Sequence, residues 1–134
     1  MDPTRIRPSP YINTMSHSTL KQLPPTLREK KRYLVFEVIA KNKVLPLSKA
    51  AKAIALTYAS LHGERGAAKA GLIYVGKRSD DELQRGIIRV NRKNVTDLKA
   101  AITLVKEIEG EEAITRSIGV SGMMKKAEER FVAS

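Results

Sequence analysis

Six apolar segments of two kinds follow one another along this chain, and their order constrains the fold more than any other feature. Four segments are rich in aromatic and β-branched residues or alternate with polar residues, which predicts strands. In the other two, apolar residues recur every three or four positions, which predicts helices. The strands are predicted at residues 33–40, 71–78, 85–92 and 112–120, and the helices at residues 47–62 and 95–109.

The first strand segment, YLVFEVIA at 33–40, has Glu37 as its one charged residue. An apolar run of this kind predicts a central strand that is covered on both faces. Capping residues set the predicted ends of the helices. Gly63 and Gly110 are expected to end the two helices, and Asn94 with Asp97 resembles a capping box at the start of the second.

The order β-α-β-β-α-β is typical of an α+β ferredoxin-like sandwich, which RRM-like RNA-binding domains share. In this plan a four-stranded antiparallel sheet carries both crossover helices on one face. A short N-terminal helical turn after Pro24–Pro25 and a C-terminal amphipathic helix over 122–132 are predicted in addition. Residues 1–20 hold three prolines and are predicted to be a flexible arm, and residues 21–134 a single RNA-binding α/β domain.

The charge of the chain narrows the class of partner. The sequence has 25 Lys and Arg against 14 Asp and Glu, a net charge of +11, which favours a polyanion such as nucleic acid. It has no cysteine and two histidines, so no catalytic residue and no metal site is predicted. The acidic triplet 80–82 is interpreted as a solvated turn. We expect a cytoplasmic protein without a membrane partner, because neither a secretory signal nor an apolar run of about 20 residues is present.

The third predicted strand partly matches a pattern found in RNA-binding sheets, in which a basic residue and a glycine precede aromatic residues. Arg85 and Gly86 match, but the aromatic positions hold Ile87, Arg89 and Arg92. Bases stack on aromatic rings in such sheets, so this strand is expected to contact phosphate or protein instead of stacking bases. An ordinary half-buried strand with solvated arginines is the alternative.

A turn of small residues, Gly119 to Gly122, leads into the C-terminal helix. The free N–H groups at a helix start attract anions, and Lys125 and Lys126 in the first turn add positive charge. Ser121 is expected to cap this helix or to donate to a phosphate oxygen. A capped helix with solvated lysines explains the same residues equally well.

Three stretches together resemble one family: LPPTLREKKRYLVFEV (23–38), RGIIRVNRKNVTDLKAAITLV (85–105) and TRSIGVSGMMKKA (115–127). They are similar to the archaeal ribonuclease P protein component two, or Pop-five, family. The resemblance implies a subunit of the ribonucleoprotein that removes the 5′ leader of precursor tRNA, the substrate of the holoenzyme. It implies that the RNA subunit cleaves with Mg²⁺ and that the protein binds no cofactor.

The resemblance also implies partners and contacts. The protein would bind the catalytic domain of the RNA subunit and lower its Mg²⁺ requirement, beside a larger barrel-fold protein subunit and a second copy of itself. Met124 and Phe131 are candidates for protein contact, with core packing as the alternative for Phe131. The candidates for RNA contact are Arg28, Lys30, Lys31, Arg32, Arg89, Arg92, Lys93, Ser121, Lys125 and Lys126.

Two other classes of function fit parts of the sequence. A general basic RNA-binding or ribosome-associated protein of the same fold is the main alternative. A small phosphate-handling enzyme on this scaffold would need a phosphate cradle and a positioned nucleophile, and the sequence shows neither.

Overall fold

A computed structural model describes residues 30–41 and 43–133 of the chain. The predicted arm 1–20, the helical turn after Pro24–Pro25 and the candidate Arg28 lie outside the described residues. The elements in chain order are β1 (Lys31–Ala40), α1 (Leu47–Ala70), β2 (Ile73–Tyr74), β3 (Arg85–Asn91), α2 (Val95–Leu104), β4 (Glu107–Ile108), β5 (Glu111–Ser121) and α3 (Met124–Ala127), which continues as a π-helical turn over Glu128–Val132. The predicted α+β class is confirmed.

The strands form one antiparallel sheet in the order β2-β3-β1-β5-β4. β1 is central, as predicted, and pairs with β3 from Lys31↔Asn91 onward and with β5 from Tyr33↔Ser121 onward. The predicted count of four strands is wrong, because the two-residue strand β4 pairs with the start of β5. An antiparallel neighbour on each side places the start of β1 beside the ends of β3 and β5.

The added strand β4 takes residues that the sequence assigned to the second helix. Helix α2 ends at Leu104, because Val105 is extended (φ −72°, ψ 122°) and the chain then turns back. Glu109 and Gly110 have φ of 52° and 80°, and positive φ at two successive residues favours a tight hairpin turn. Gly110 therefore connects β4 with β5, and the prediction that it ends a helix is wrong.

Helix α1 is longer than predicted. Gly63 interrupts it with φ 77° and ψ 169°, but the helix resumes and continues to Ala70, where Gly71 in the left-handed region ends it. The buried side chain of Ala70 holds this last segment against the core. The predicted end at Gly63 is therefore a kink.

Strand β2 is shorter than the predicted 71–78, because a side chain takes over part of the strand pairing. The Ser79 hydroxyl donates to the carbonyl of Val75 at 2.8 Å and accepts the N–H of Ile87 at 3.0 Å. Residues Gly76–Arg78 form a 3-10 turn as a result. A serine can replace a strand partner in this way because its hydroxyl is both a donor and an acceptor.

Both helix starts depend on tertiary contacts. The predicted capping box at Asn94 is wrong, since Asn94 makes no side-chain cap bond and bonds to Tyr58 instead. Helix α1 begins at Leu47, whose N–H donates to the carboxylate of Asp81 at 3.0 Å. One residue of the acidic triplet thus caps a helix that begins 34 positions earlier in the chain.

Apolar clusters lie on both faces of the sheet. On one face, α1 and α2 pack over alternate residues of β1 and β3, with Phe36, Ile88, Tyr58 and Ile102 almost fully buried. On the other face, α3 and its π-helical turn cover a smaller cluster. Its buried members are Val35, Ile87, Ala127 and Val132, with Tyr33, Val75, Ile118 and Phe131 packed against them. The predicted C-terminal helix thus covers part of the face that the helices α1 and α2 leave open.

Phe131 packs directly over Gly119. A Cβ atom at Gly119 would lie 2.4 Å from two ring carbons of Phe131, whereas at Gly122 it would lie 3.7 Å from the Arg32 guanidinium. We expect Gly119→Ala to lower the free energy of unfolding by about 1–3 kcal/mol, because the ring must leave its position. Denaturant unfolding measures the change, with Gly122→Ala as the matched control. Equal stability of the two variants would contradict this packing.

Candidate nucleic-acid interface

One end of the sheet gathers most of the predicted RNA-binding residues. They lie far apart in sequence, but the start of β1 adjoins the ends of β3 and β5, and α3 begins three residues after β5. We call this group the basic end. It consists of Lys30, Lys31, Arg32, Arg92, Lys93, Ser121, Lys125 and Lys126.

The cations at the rim of the basic end are open to solvent. Lys30, Arg92, Lys93, Lys125 and Lys126 are all exposed. A 3-10 turn carries Arg92 and Lys93, and the Arg92 N–H donates to the carbonyl of Lys30 at 2.8 Å. This backbone bond fixes the turn after β3 beside the residue that precedes β1. The backbone that carries these exposed cations is therefore held in position by a hydrogen bond.

Side-chain contacts organise the inner part of the basic end. Lys31 donates to the side chain of Asn91, which is buried and also donates to the carbonyl of Lys69 near the end of α1. Arg32 donates to the carbonyl of Lys31 at 2.9 Å. Asn91 thereby connects β1, β3 and α1. Asn91 was not among the predicted residues, because an asparagine at a strand end carries no sequence signal for such a bridge.

The other predicted contact residues have different environments. The Ser121 hydroxyl accepts the N–H of Met123 at 3.1 Å, which orders the turn before α3. Met124 is half-buried, and the ring of Phe131 packs on Gly119. Arg89 lies in the middle of β3, next to the basic end. Their roles in RNA or protein contact stay predictions.

Acidic residues concentrate at the opposite end of the sheet. The β4–β5 hairpin carries Glu109 and Glu111, whose carboxylates pair with Lys49 at 3.7 Å and Lys43 at 3.2 Å. These exposed pairs add little stability, but they neutralise positive charge at this end. The exposed cations of the basic end, by contrast, have no ion-pair partner among the described residues, so their charge is available to attract a polyanion.

A second charge group lies on the sheet face between the two ends. The carboxylate of Glu37, whose side chain is 15% exposed, accepts bonds from Arg85 at 3.2 Å and from Arg116 at 2.7 Å. Arg85 also donates to the carbonyl of Phe131 at 3.1 Å. The one charged residue of the apolar strand β1 thus helps to hold the C-terminal segment on the sheet.

Two tyrosines have raised pKa values. Tyr58 lies in the apolar core, and Tyr74 packs against it. Burial raises the pKa of the Tyr58 phenol, opposed by its hydrogen bond with Asn94 and reinforced by the charge of Asp97. Burial likewise raises the pKa of Tyr74, opposed by a bond with Ser79 and reinforced by Asp81. Both phenols therefore stay protonated near neutral pH.

Residues 30–41 and 43–133 show neither a metal-binding cluster nor a membrane-spanning helix. This part of the chain holds no group of three or more His, Cys, Asp or Glu side chains that could bind a metal ion. It also holds no helix that is both long and apolar enough to span a bilayer.

Comparison with known proteins places the chain in a family. The sequence model of the Rpp14/Pop5 family matches residues 32–132. The chain belongs to this family. The family suggested by the three sequence stretches is thereby confirmed, and the match includes every residue of the basic end except Lys30 and Lys31.

Several archaeal relatives share most of their length with this chain. Ribonuclease P protein component 2 of Thermococcus gammatolerans is 45% identical, and the match covers 84% of this chain and 92% of that protein. The protein of the same name from Pyrococcus furiosus is 41% identical over the same shares. The one from Methanocaldococcus jannaschii is 34% identical, with 84% and 81% covered.

A solved structure supports the fold. A chain in the cryo-electron microscopy structure of yeast ribonuclease MRP superimposes with a TM-score of 0.52 at 14% identity. The match covers 70% of this chain and 75% of the yeast chain. At this identity the likeness concerns the fold alone.

Removing charge from the basic end should change the salt dependence of RNA binding. We expect Lys125→Gln with Lys126→Gln to reduce the slope of log affinity against log salt by up to about 0.9 per lost phosphate contact on duplex RNA. The control is Lys41→Gln with Lys106→Gln, which removes the same charge at the opposite end. Fluorescence anisotropy with labelled RNA measures both slopes. Identical slopes for the two double variants would exclude Lys125 and Lys126 from the interface.

Proposed function

We infer that this chain is a protein subunit of ribonuclease P, the endoribonuclease that processes the 5′ end of precursor tRNA. The observation that carries this conclusion is the near full-length match to archaeal proteins named ribonuclease P protein component 2. The chain works within an RNA–protein complex, and its net charge of +11 suits that setting.

We propose that the basic end contacts the catalytic domain of the RNA subunit. Folding a ribozyme brings phosphates close together, and that repulsion normally has to be offset by bound Mg²⁺. Lysines and arginines beside the RNA supply part of this positive charge. The protein would therefore lower the Mg²⁺ concentration that the RNA needs, while the RNA holds the metal and performs the cleavage.

In this proposal the protein alone is not catalytic and binds no cofactor, and the holoenzyme acts on precursor tRNA. A larger barrel-fold subunit and a second copy of this chain are proposed as protein partners, in the cytoplasm. Met124 and Phe131 are proposed to contribute to protein contact. We also propose that the sheet is of the ferredoxin-like kind, because its order without β4 is β2-β3-β1-β5, as in the split β-α-β plan.

A general basic RNA-binding protein of the same fold is the second candidate, favoured by the exposed cations of the basic end. Competition separates the two functions. A dedicated subunit should retain the ribonuclease P RNA at moderate salt in the presence of excess bulk tRNA, whereas a general binder should release it.

The Mg²⁺ effect can be tested in the reconstituted holoenzyme. We expect Lys125→Gln with Lys126→Gln to raise the Mg²⁺ concentration for half-maximal cleavage of precursor tRNA, because phosphate repulsion is then less well neutralised. Activity at saturating Mg²⁺ should recover, since the catalytic groups belong to the RNA.

The control for this experiment is again Lys41→Gln with Lys106→Gln, which should leave the Mg²⁺ requirement unchanged. A requirement that is the same in all three proteins would contradict the role of the basic end. Cleavage by the protein after complete removal of RNA would contradict the non-catalytic assignment.

A further inference from the structure

A row of four side chains crosses the sheet between the apolar residues that α3 covers and the paired strand ends at Lys31 and Asn91. The strand register pairs Ile73 of β2 with Arg89, Arg89 with Tyr33 of β1, and Tyr33 with Ser121 of β5. Directly paired residues project from the same face of a sheet. Neighbouring strands lie about 4.8 Å apart, so the row spans about 14 Å.

Apolar residues covered by α3 lie on one side of the row, and cations lie on the other side. The next row, Ile87, Val35 and Gly119, is covered by α3 and its π-helical turn. On the other side, the next paired residues are Lys31, which belongs to the basic end, and the buried Asn91. The row itself is uncovered in part, since Arg89, Tyr33 and Ser121 are half-buried and Ile73 is 48% exposed.

Arg89 is the unusual member of this row. Its Nε atom is buried without a hydrogen-bond partner, and its guanidinium makes no ion pair with any residue that the structure describes. The partly buried arginines Arg78 and Arg85 both have carboxylate partners. A buried donor without a partner is unfavourable, so a group that bonds to Arg89 gains a hydrogen bond without displacing an existing one.

Tyr33 supplies an aromatic ring at the same place. It packs against the small cluster under α3, and its hydroxyl likewise makes no hydrogen bond within the described chain. β3 itself has no aromatic residue at the positions that carry the rings in RNA-binding sheets. In the folded sheet, the ring comes from β1 and lies beside the arginine of β3.

We propose that Tyr33, Arg89 and Ile73 form a binding site for one or two unpaired RNA nucleotides. The inference rests on the proposed role in an RNA–protein complex. A base can stack on a tyrosine ring or on a guanidinium plane, and Ile73 extends the apolar floor. The adjoining lysines would hold the phosphates of the same nucleotides, and the free donors of Arg89 and Tyr33 would bond to the base or the backbone.

A single-stranded RNA of about ten nucleotides, used alone or annealed to its complement, tests this site with the full-length protein. We expect Tyr33→Leu to weaken binding of the single strand about fivefold or more while duplex binding changes little. Tyr33→Phe keeps the ring and should stay close to the wild type.

The second variant is Arg89→Met. This substitution breaks no side-chain hydrogen bond or ion pair between described residues. We expect single-strand affinity to fall about fivefold or more without any drop in the temperature of unfolding. Arg116→Met removes the same charge from the same sheet face near the opposite end, and should retain single-strand binding. Thermal unfolding of each variant shows that the fold is intact.

The outcomes separate this site from the wider proposal. Equal losses of single-strand and duplex affinity in Tyr33→Leu, or no loss in either Tyr33→Leu or Arg89→Met, would overturn the nucleotide site. Those results leave RNA binding by the basic end in place if Lys125→Gln with Lys126→Gln still weakens both probes. If that double variant changes neither probe, the basic end itself is refuted.

Discussion

The antiparallel pairing of β1 with a strand on each side is the constraint on which the rest of the structure depends. It buries alternate residues of β1 under α1 and α2 on one face, and Val35 under α3 on the other. The same pairing places the first residues of β1 beside the last residues of β3 and β5. A chain with only local contacts could not bring residues 30–32, 92–93 and 125–126 to one place.

The gathered cations repel one another, and the surrounding structure holds them despite that cost. The backbone bond from Arg92 to Lys30 and the buried side chain of Asn91 fix the strand ends. The acidic residues of the β4–β5 hairpin lie at the far end of the sheet, where Glu109 and Glu111 pair with lysines. Such an arrangement is favourable when a polyanion occupies the basic end, which agrees with a subunit of ribonuclease P.

Much of the fold could be predicted from sequence, because the spacing of apolar residues reflects which side chains are buried. The run at 33–40 indicated the central strand, and the order of segments indicated the α+β class. The errors lie where a pattern supports two structures. Val105 and Ile108 continue the helical spacing of α2, yet they are also buried in the turn and strand that follow. The shortening of β2 depends on the Ser79 hydroxyl, and apolar patterns contain no information about such a bond.

The candidate site was predictable to a similar degree. The resemblance to a family, together with the predicted strand order, named the cations that the fold brings together. It did not identify Asn91, whose bridging contacts join three elements, or Tyr33, which lies beside Arg89 only through the register of β1 and β3. The pairs Lys31–Asn91 and Tyr33–Arg89 are both more than fifty positions apart in the chain.

The most direct test of the central claim is to crosslink the tagged protein to RNA in its own cells, and then to sequence the RNA and identify the crosslinked peptides. If the basic end binds this RNA, ribonuclease P RNA is recovered and the peptides come from the start of β1, the end of β3 and the start of α3. Recovery of peptides mainly from the β4–β5 hairpin, or of the protein without this RNA, would contradict the claim.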